Sequence, residues 1–436
     1  MKDKFIWNPY ADQPHNIAPK KERFLMHFHH LGSYLSQLKY GIQDAIPVIR
    51  KYQELKKEMY NNPVEIKSRF AVSISPIENR NKEVIERLLS LGVDYTLIRV
   101  PSWEVNQLNK YLSLTELLEK KKIPFIIAIL QNREDVLNPQ KWEEALKKIF
   151  TAFYKSASYF EIGHAWNRTK WGVWDYREYL KLLDCAYKLK QEFPDIKFIG
   201  PAVIDFEFHL IHIVLKYFSF DIVSSLLYVD RLGAPENTQF GWDTSKKVCL
   251  LKAIIDYSKN KNKECWITEV NWPLKGTGKY SPASGRPNVS EKDYADFLIR
   301  YHILCLCSGF IGKIFWWQLI APGYGLIDNR DEKKWRLRPG YWAYKNMLNN
   351  LKGSIFLRKI NYSSNYIFLF KNKKNKYFIV AWNPRSSSII QFLPKIEKIL
   401  DGEGNEISPS QKILINSSPK FIYFEDKELS EKIINE

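Results

Sequence analysis

The strongest constraint on this chain is an alternation. From residue 68 onward, short apolar runs of strand length trade places with amphipathic helical stretches for roughly 280 residues. Such βα units build a parallel sheet whose faces the helices cover. Strands are expected at Phe70 to Ser75, Tyr95 to Val100, Phe125 to Leu130, Tyr159 to Gly163, Lys197 to Ile204, Ile222 to Tyr228, Cys265 to Glu269 and Lys313 to Leu319. Helices are expected between them, for example at Asn79 to Leu91, Leu112 to Lys121, Trp142 to Lys155 and Tyr176 to Glu192. Eight such units fit one closed (β/α)8 TIM barrel. A doubly wound open sheet is the alternative, but no glycine-rich phosphate turn follows the first strand.

The flanks follow other patterns. Residues 1–67 are polar and basic, and from Phe24 the apolar residues take helical spacing, with Leu31, Tyr34, Leu35 and Leu38 on one face. A second helical run is expected from about Pro47 to Tyr60. This N-terminal helical extension is expected to pack over the outside of the barrel or to close its bottom. His27, His29 and His30 cluster in it, but no acidic partner stands at ligand spacing, so no metal site is expected. Past Trp342-Ala343-Tyr344 the helical pattern stops. Short β runs at Ile355 to Leu357, Tyr366 to Phe370, Tyr377 to Trp382, Ser387 to Phe392, Ile413 to Ile415 and Phe421 to Phe424 are parted by turns, the clearest being Asp401-Gly402-Glu403-Gly404-Asn405. They predict a small antiparallel β-sandwich. The expected domains are 1–67, 68–350 and 351–436.

Charge narrows the classes of partner. The net charge of +18 suits nucleic acid, an anionic membrane surface or an acidic polymer. The excess is mostly lysine in scattered runs, such as Lys120-Lys121-Lys122 and Lys371 to Lys376. That is the pattern of a solvated surface rather than a binding stripe, so no nucleic-acid partner is expected, while peripheral membrane contact stays open. No apolar stretch is long enough to span a bilayer. Met1-Lys2-Asp3-Lys4 is not followed by the apolar run of a secretory signal. Cys185, Cys249, Cys265, Cys305 and Cys307 are odd in number and lack framework or zinc spacing. A cytoplasmic protein with reduced thiols is expected.

In a (β/α)8 barrel the chemistry sits at the C-terminal strand ends. Three of those ends are dense in polar and aromatic groups: Glu161-Ile162-Gly163-His164-Ala165-Trp166-Asn167, Trp266-Ile267-Thr268-Glu269-Val270-Asn271-Trp272 and Phe315-Trp316-Trp317-Gln318. A carboxylate at the end of a buried strand, as Glu269 is expected to be, is costly unless something pairs or uses it. Arg99, Trp103 in the loop beyond it, and Tyr228 would converge on the same mouth. Nothing points to a cofactor.

With these motifs the chain resembles the clan-A retaining glycoside hydrolases, in particular members whose barrel is followed by a β-sandwich. The resemblance runs from about Phe70 to Phe424. Gly325-Leu326-Ile327-Asp328 and Arg338-Pro339-Gly340-Tyr341-Trp342-Ala343 look like two further clan segments. The resemblance implies that Glu269 is the nucleophile, that Arg99 steadies it, that Tyr228 lines the site, and that Trp316 or Trp317 floors the subsite of the cleaved sugar. Asn167 survives from the clan's fourth-strand motif. Trp272 is either platform or core. Arg286, in the loop from Gly276 to Asn288, is a candidate contact for an acidic sugar, and Glu161 is expected to be a buried partner for a Lys or Arg.

The departure from the clan lies on the fourth strand, where Ala165 occupies the acid/base position and His164 the preceding Asn. Leu226 also stands where the sixth strand commonly has a His. Retaining hydrolysis needs two carboxyls about 5–5.5 Å apart, and losing a general acid typically costs on the order of 10²–10⁴ in rate. Three accounts follow. Another group supplies the proton, His164 foremost, or Glu104, Asp175, Asp230 or Glu236 from the loops. Alternatively the leaving group needs no acid, and the protein is a transglycosylase or glycosyltransferase-like enzyme using an activated sugar. In the third account catalysis is lost, leaving a carbohydrate-binding pseudoenzyme. The expected function is O-glycosyl bond chemistry on a glycan, with the basic surface suiting an anionic cell-envelope polymer.

Overall fold

The computed structural model describes residues 6–15, 25, 28–229, 233–281, 288–425 and 433–434. Eight parallel strands close a barrel: β1 Phe70–Ile74, β2 Tyr95–Pro101, β3 Phe125–Leu130, β4 Tyr159–Ile162, β5 Phe198–Ile204, β6 Ile222–Leu226, β7 Cys265–Val270 and β8 Lys313–Trp316. β8 returns to β1 through Ile314↔Phe70 and Phe315↔Ala71. The strands are buried almost throughout, because one face points into the barrel and the other lies under helices. That double burial is why they read as unbroken apolar runs. Inside, Ala71, Leu97, Ile126, Ile199, Trp266 and Phe315 form a cluster separate from the larger core under the helices. The lower barrel is thus filled, and open space is left to its C-terminal mouth.

The N-terminal extension departs from expectation in two ways. Leu31–Glu58 is one continuous helix, α1, with Pro47 inside it. A mid-helix proline forfeits a backbone hydrogen bond, but burial of Val48, Tyr52 and Leu55 on the inward face holds the helix together through that point. α1 packs against α2 (Phe208–Val214) and α3 (Thr244–Tyr257) on the barrel's outside. Upstream, Trp7–Asn8 pairs with Gln13–Pro14 in a small hairpin. This hairpin lies over the mouth of the barrel, with Trp7 against Trp103 and Trp171; it does not close the bottom.

The C-terminal part is antiparallel, in a seven-stranded sheet and a separate strand pair. Ile367, Ile379, Ile390, Ile413 and Ile422 pack together between them. Three elements differ from expectation: the helix Pro339–Leu351 continues past Tyr344, and the strands Ile396–Leu400 and Glu406–Ile407 extend the sheet. Val64–Glu65, from ahead of the barrel, adds the far edge strand beside Ile355 and Phe356. A buried ion pair ties barrel to sandwich: Arg300 holds Glu236, Trp382 Nε1 donates to Glu236 at 2.7 Å, and Arg300 also donates to the Ser417 carbonyl. Among the described residues, no helix is long and apolar enough to cross a membrane.

Candidate active site

β7 sets the centre of the site. Trp266 and Thr268 point into the barrel while Ile267 faces the helices. Strict alternation would then bury Glu269 outward. Instead the β7–β8 register slips between Ile267↔Ile314 and Val270↔Trp316, a bulge that turns Val270 under the helices and Glu269 into the mouth. Glu269 is 6 % exposed, and three groups meet its carboxylate. The Arg99 guanidinium donates to Oε2, the Tyr228 hydroxyl donates to Oε1 at 2.6 Å, and His164 Nε2 lies 3.4 Å from Oε2. Burial, and then the charge and hydrogen bond of Glu269, push the Tyr228 phenol well above its ordinary range, so it stays a donor.

His164 cannot serve as the replacement acid expected of it. Its Nε2 is 2.8 Å from Arg99 Nη2, and a guanidinium only donates. Nε2 therefore accepts, and the ring proton sits on Nδ1, which has no hydrogen-bond partner among the described residues. Burial, with Arg99 and Lys170 adding to it, lowers the imidazole pKa well below its usual value. The ring is neutral at ordinary pH and holds Arg99 in place.

Arg99 lies flat over the Trp317 indole, 3.4 Å from its centroid, with Tyr324 stacked behind. Trp317 therefore lines the cavity, beneath Arg99. Trp316, its neighbour in the chain, points the opposite way because successive strand residues do. Its Nε1 donates to Tyr294 at 2.6 Å, and it stacks on Trp272, both fully buried. Trp316 and Trp272 are thus core, not sugar platforms. Glu161 is also corrected: no Lys or Arg pairs with it among the described residues. It accepts from Thr268 at 2.6 Å, deep below Glu269, and burial pushes its pKa up to about 7, with the Glu269 charge adding and the Thr268 and Ser224 hydroxyls opposing.

Other expected contacts fall elsewhere. Trp103 is covered by Trp7, ring centroids 5.4 Å apart. The Asn167 amide is spent on both backbone groups of Ile204 and on Glu207, so it pins the end of β5. Glu104 is held by Tyr111 and Lys110. Asp175 caps the helix from Tyr176 and binds Ser33 and His30. Glu236 belongs to the Arg300 pair. Arg286 and Asp230 lie outside the described residues.

Ala165 forms a fully buried stretch of wall, its N–H donated to the Ala202 carbonyl, so β4 brings no carboxyl to the mouth. One arrives from the N-terminal hairpin instead. Asp12 lines the cavity, with Oδ2 3.6 Å from Arg99 Nη1 while Arg99 Nη2 holds Glu269. The two carboxyls thus meet at opposite nitrogens of one guanidinium. Burial raises the Asp12 pKa; Arg99 opposes the rise, and Glu269 and Glu104 add to it. Asp205, at the end of β5, is a third carboxylate of the rim but is bound to Arg168 at 2.6 Å. Tyr10-Ala11-Asp12-Gln13-Pro14 reads as an ordinary polar turn, and nothing local tells that it reaches a strand end nearly ninety residues later.

The chain matches no protein-family model and no curated protein sequence. Among solved structures it is similar to a family 39 glycoside hydrolase from the gut symbiont Bacteroides cellulosilyticus WH2, with 16 % identity over 82 % of this chain and 81 % of that one and a TM-score of 0.64. A protein from Neocallimastix frontalis matches with 12 % identity over 83 % of this chain and 96 % of that one, TM-score 0.50. The likeness is one of fold.

Proposed function

We propose that this protein is a retaining O-glycosyl hydrolase in which Glu269 is the nucleophile and Asp12, carried in by the N-terminal hairpin, replaces the missing fourth-strand acid. The observation that carries this reading is the placement of Asp12 and Glu269 on the two ends of the Arg99 guanidinium, inside one cavity. Glu269 attacks the anomeric carbon as the glycosidic C–O bond breaks, and the leaving oxygen takes the Asp12 proton. The Asp12 carboxylate then accepts a proton from the water that releases the sugar from Glu269. Burial raises the Asp12 pKa, as a general acid requires. Arg99 and Tyr228 hold the Glu269 carboxylate in place by hydrogen bonds to its two oxygens. With the hairpin seated the cavity is about 90 Å³, well under the roughly 300 Å³ of a small ligand pocket. Substrate therefore enters as the hairpin lifts, and Asp12 returns with it.

A second reading, glycan binding without turnover, is favoured by Ala165 and by the Arg99 and Tyr228 hydrogen bonds already on Glu269. An activated phosphate donor is less well served, because Arg168 is committed to Asp205 and Glu207 and Lys170 donates to Gln13. The same pairing gives the site itself no reason to prefer an anionic sugar. A panel of aryl and alkyl glycosides separates the readings. Asp12→Asn is expected to lose on the order of 10²–10⁴ in rate on poor leaving groups and little on dinitrophenyl glycosides. Glu269→Gln is expected to abolish both. Azide is expected to rescue Asp12→Asn on the activated substrates. Native turnover that survives Asp12→Asn unchanged on alkyl glycosides would sink the assignment, and glycan binding without any turnover would leave the second reading.

A further inference from the structure

The outward face of α1 takes no part in the barrel's chemistry, yet its sequence is not that of a solvated helix. Leu31, Leu35, Leu38, Ile42, Ile46 and Ile49 follow one another at steps of three and four. They form one stripe along about 27 Å of helix. All six are 54–66 % exposed, while Val48, Tyr52 and Leu55 on the other face are buried against the barrel. Single exposed leucines are ordinary; a continuous apolar stripe marks a docking face.

The borders of the stripe say what docks there. Lys39, Arg50, Lys56 and Lys57 stand along it, exposed, and none makes an ion pair among the described residues. Of the helix's carboxylates, Asp44 faces the barrel with Lys216 and His212, Glu54 pairs with Lys51, and Glu58 stands exposed at the C-terminal end, beyond the stripe. Two copies of a chain of net charge +18 would set these cation rows side by side, whereas an anionic surface would neutralise them. Beside the stripe a mostly apolar groove of about 240 Å³ runs between Gly41, Ala45 and Val48 of α1 and Phe206, Phe208 and Ile254, with Asp44, His209 and His212 also on its wall. A helix that is apolar on one side and edged by Lys and Arg lies in the plane of a membrane interface.

We propose that α1 docks the protein on an anionic lipid bilayer, its Leu/Ile stripe sunk among the acyl chains and Lys39, Arg50, Lys56 and Lys57 at the headgroups. The test is co-flotation of the full chain with phosphatidylcholine vesicles, with and without phosphatidylglycerol, at low and high salt. The native chain is expected to float with the phosphatidylglycerol vesicles, to bind pure phosphatidylcholine far less, and to release as salt rises. Leu35→Glu/Ile42→Glu is expected to weaken binding at least about tenfold, and so is Lys39→Glu/Arg50→Glu. The second pair lies wholly on the surface and keeps the test open should the first disturb folding, which thermal unfolding would show. No flotation of the native chain, or flotation of both variants equal to that of the native chain, overturns the proposal. So does a native dimer in light scattering that Leu35→Glu/Ile42→Glu dissociates without changing vesicle binding; the stripe would then belong to a second copy.

Discussion

Glu161 offers a stability test that needs no substrate. It is 1 % exposed and has a pKa of about 7 against an ordinary 4.5, chiefly because burial penalises its charge. Its folded pKa lies above its unfolded one, so the native chain holds an extra proton between the two values. The resulting stabilisation is fully present below about pH 4.5 and is lost as pH rises through about 7. The size follows from the 2.5-unit difference (7 − 4.5). At 1.36 kcal/mol per unit it comes to about 3 kcal/mol. Glu161→Gln keeps an oxygen for the Thr268 hydroxyl and cannot ionise. Urea unfolding of both chains across this pH range should show the native protein losing about 3 kcal/mol relative to the variant, while the other titrating groups cancel in the difference. Parallel stability curves would refute the account and mean that Glu161 is hydrated or paired in solution.

Three further outcomes are expected. Tyr228→Phe removes the hydroxyl that donates to Glu269 at 2.6 Å; hydrogen bonds to charged groups are worth about 1.5–3 kcal/mol, so kcat/KM should fall roughly ten- to a hundredfold with the fold intact by circular dichroism. Glu236→Gln strands the Arg300 charge in the interface with the sandwich, which should lower unfolding stability by about 3–5 kcal/mol without touching the mouth of the barrel. Deleting residues 1–15 removes Asp12 and uncovers Trp103 and Trp171. Turnover of poor leaving groups should be lost while glycan binding, read by tryptophan fluorescence, is kept or strengthened; retained turnover would place the acid elsewhere.

Much of the barrel was legible in the chain because its physics is local. Strands buried on both faces read as unbroken apolar runs, and amphipathic helices mark the units between them, so β1 to β8 fall within a few residues of their expected limits. The presence of Glu269 at a strand end was likewise plain from neighbouring residues. Pro47 misled, because its local cost is outweighed by the burial of Val48, Tyr52 and Leu55 on surfaces that no local pattern describes.

What the tertiary structure alone decided is direction and company. The bulge in β7 that turns Glu269 inward is a property of its pairing with β8. That Trp317 and not Trp316 lines the cavity follows from which face of β8 looks into the mouth. Asp12 reaches Arg99 across 87 positions of chain, and His164 becomes an acceptor only because Arg99 stands beside it. Periodicity records how a residue meets its own segment. It carries no information on which distant segment closes over it, and the charges, proton positions and open space of this site are set by that closure.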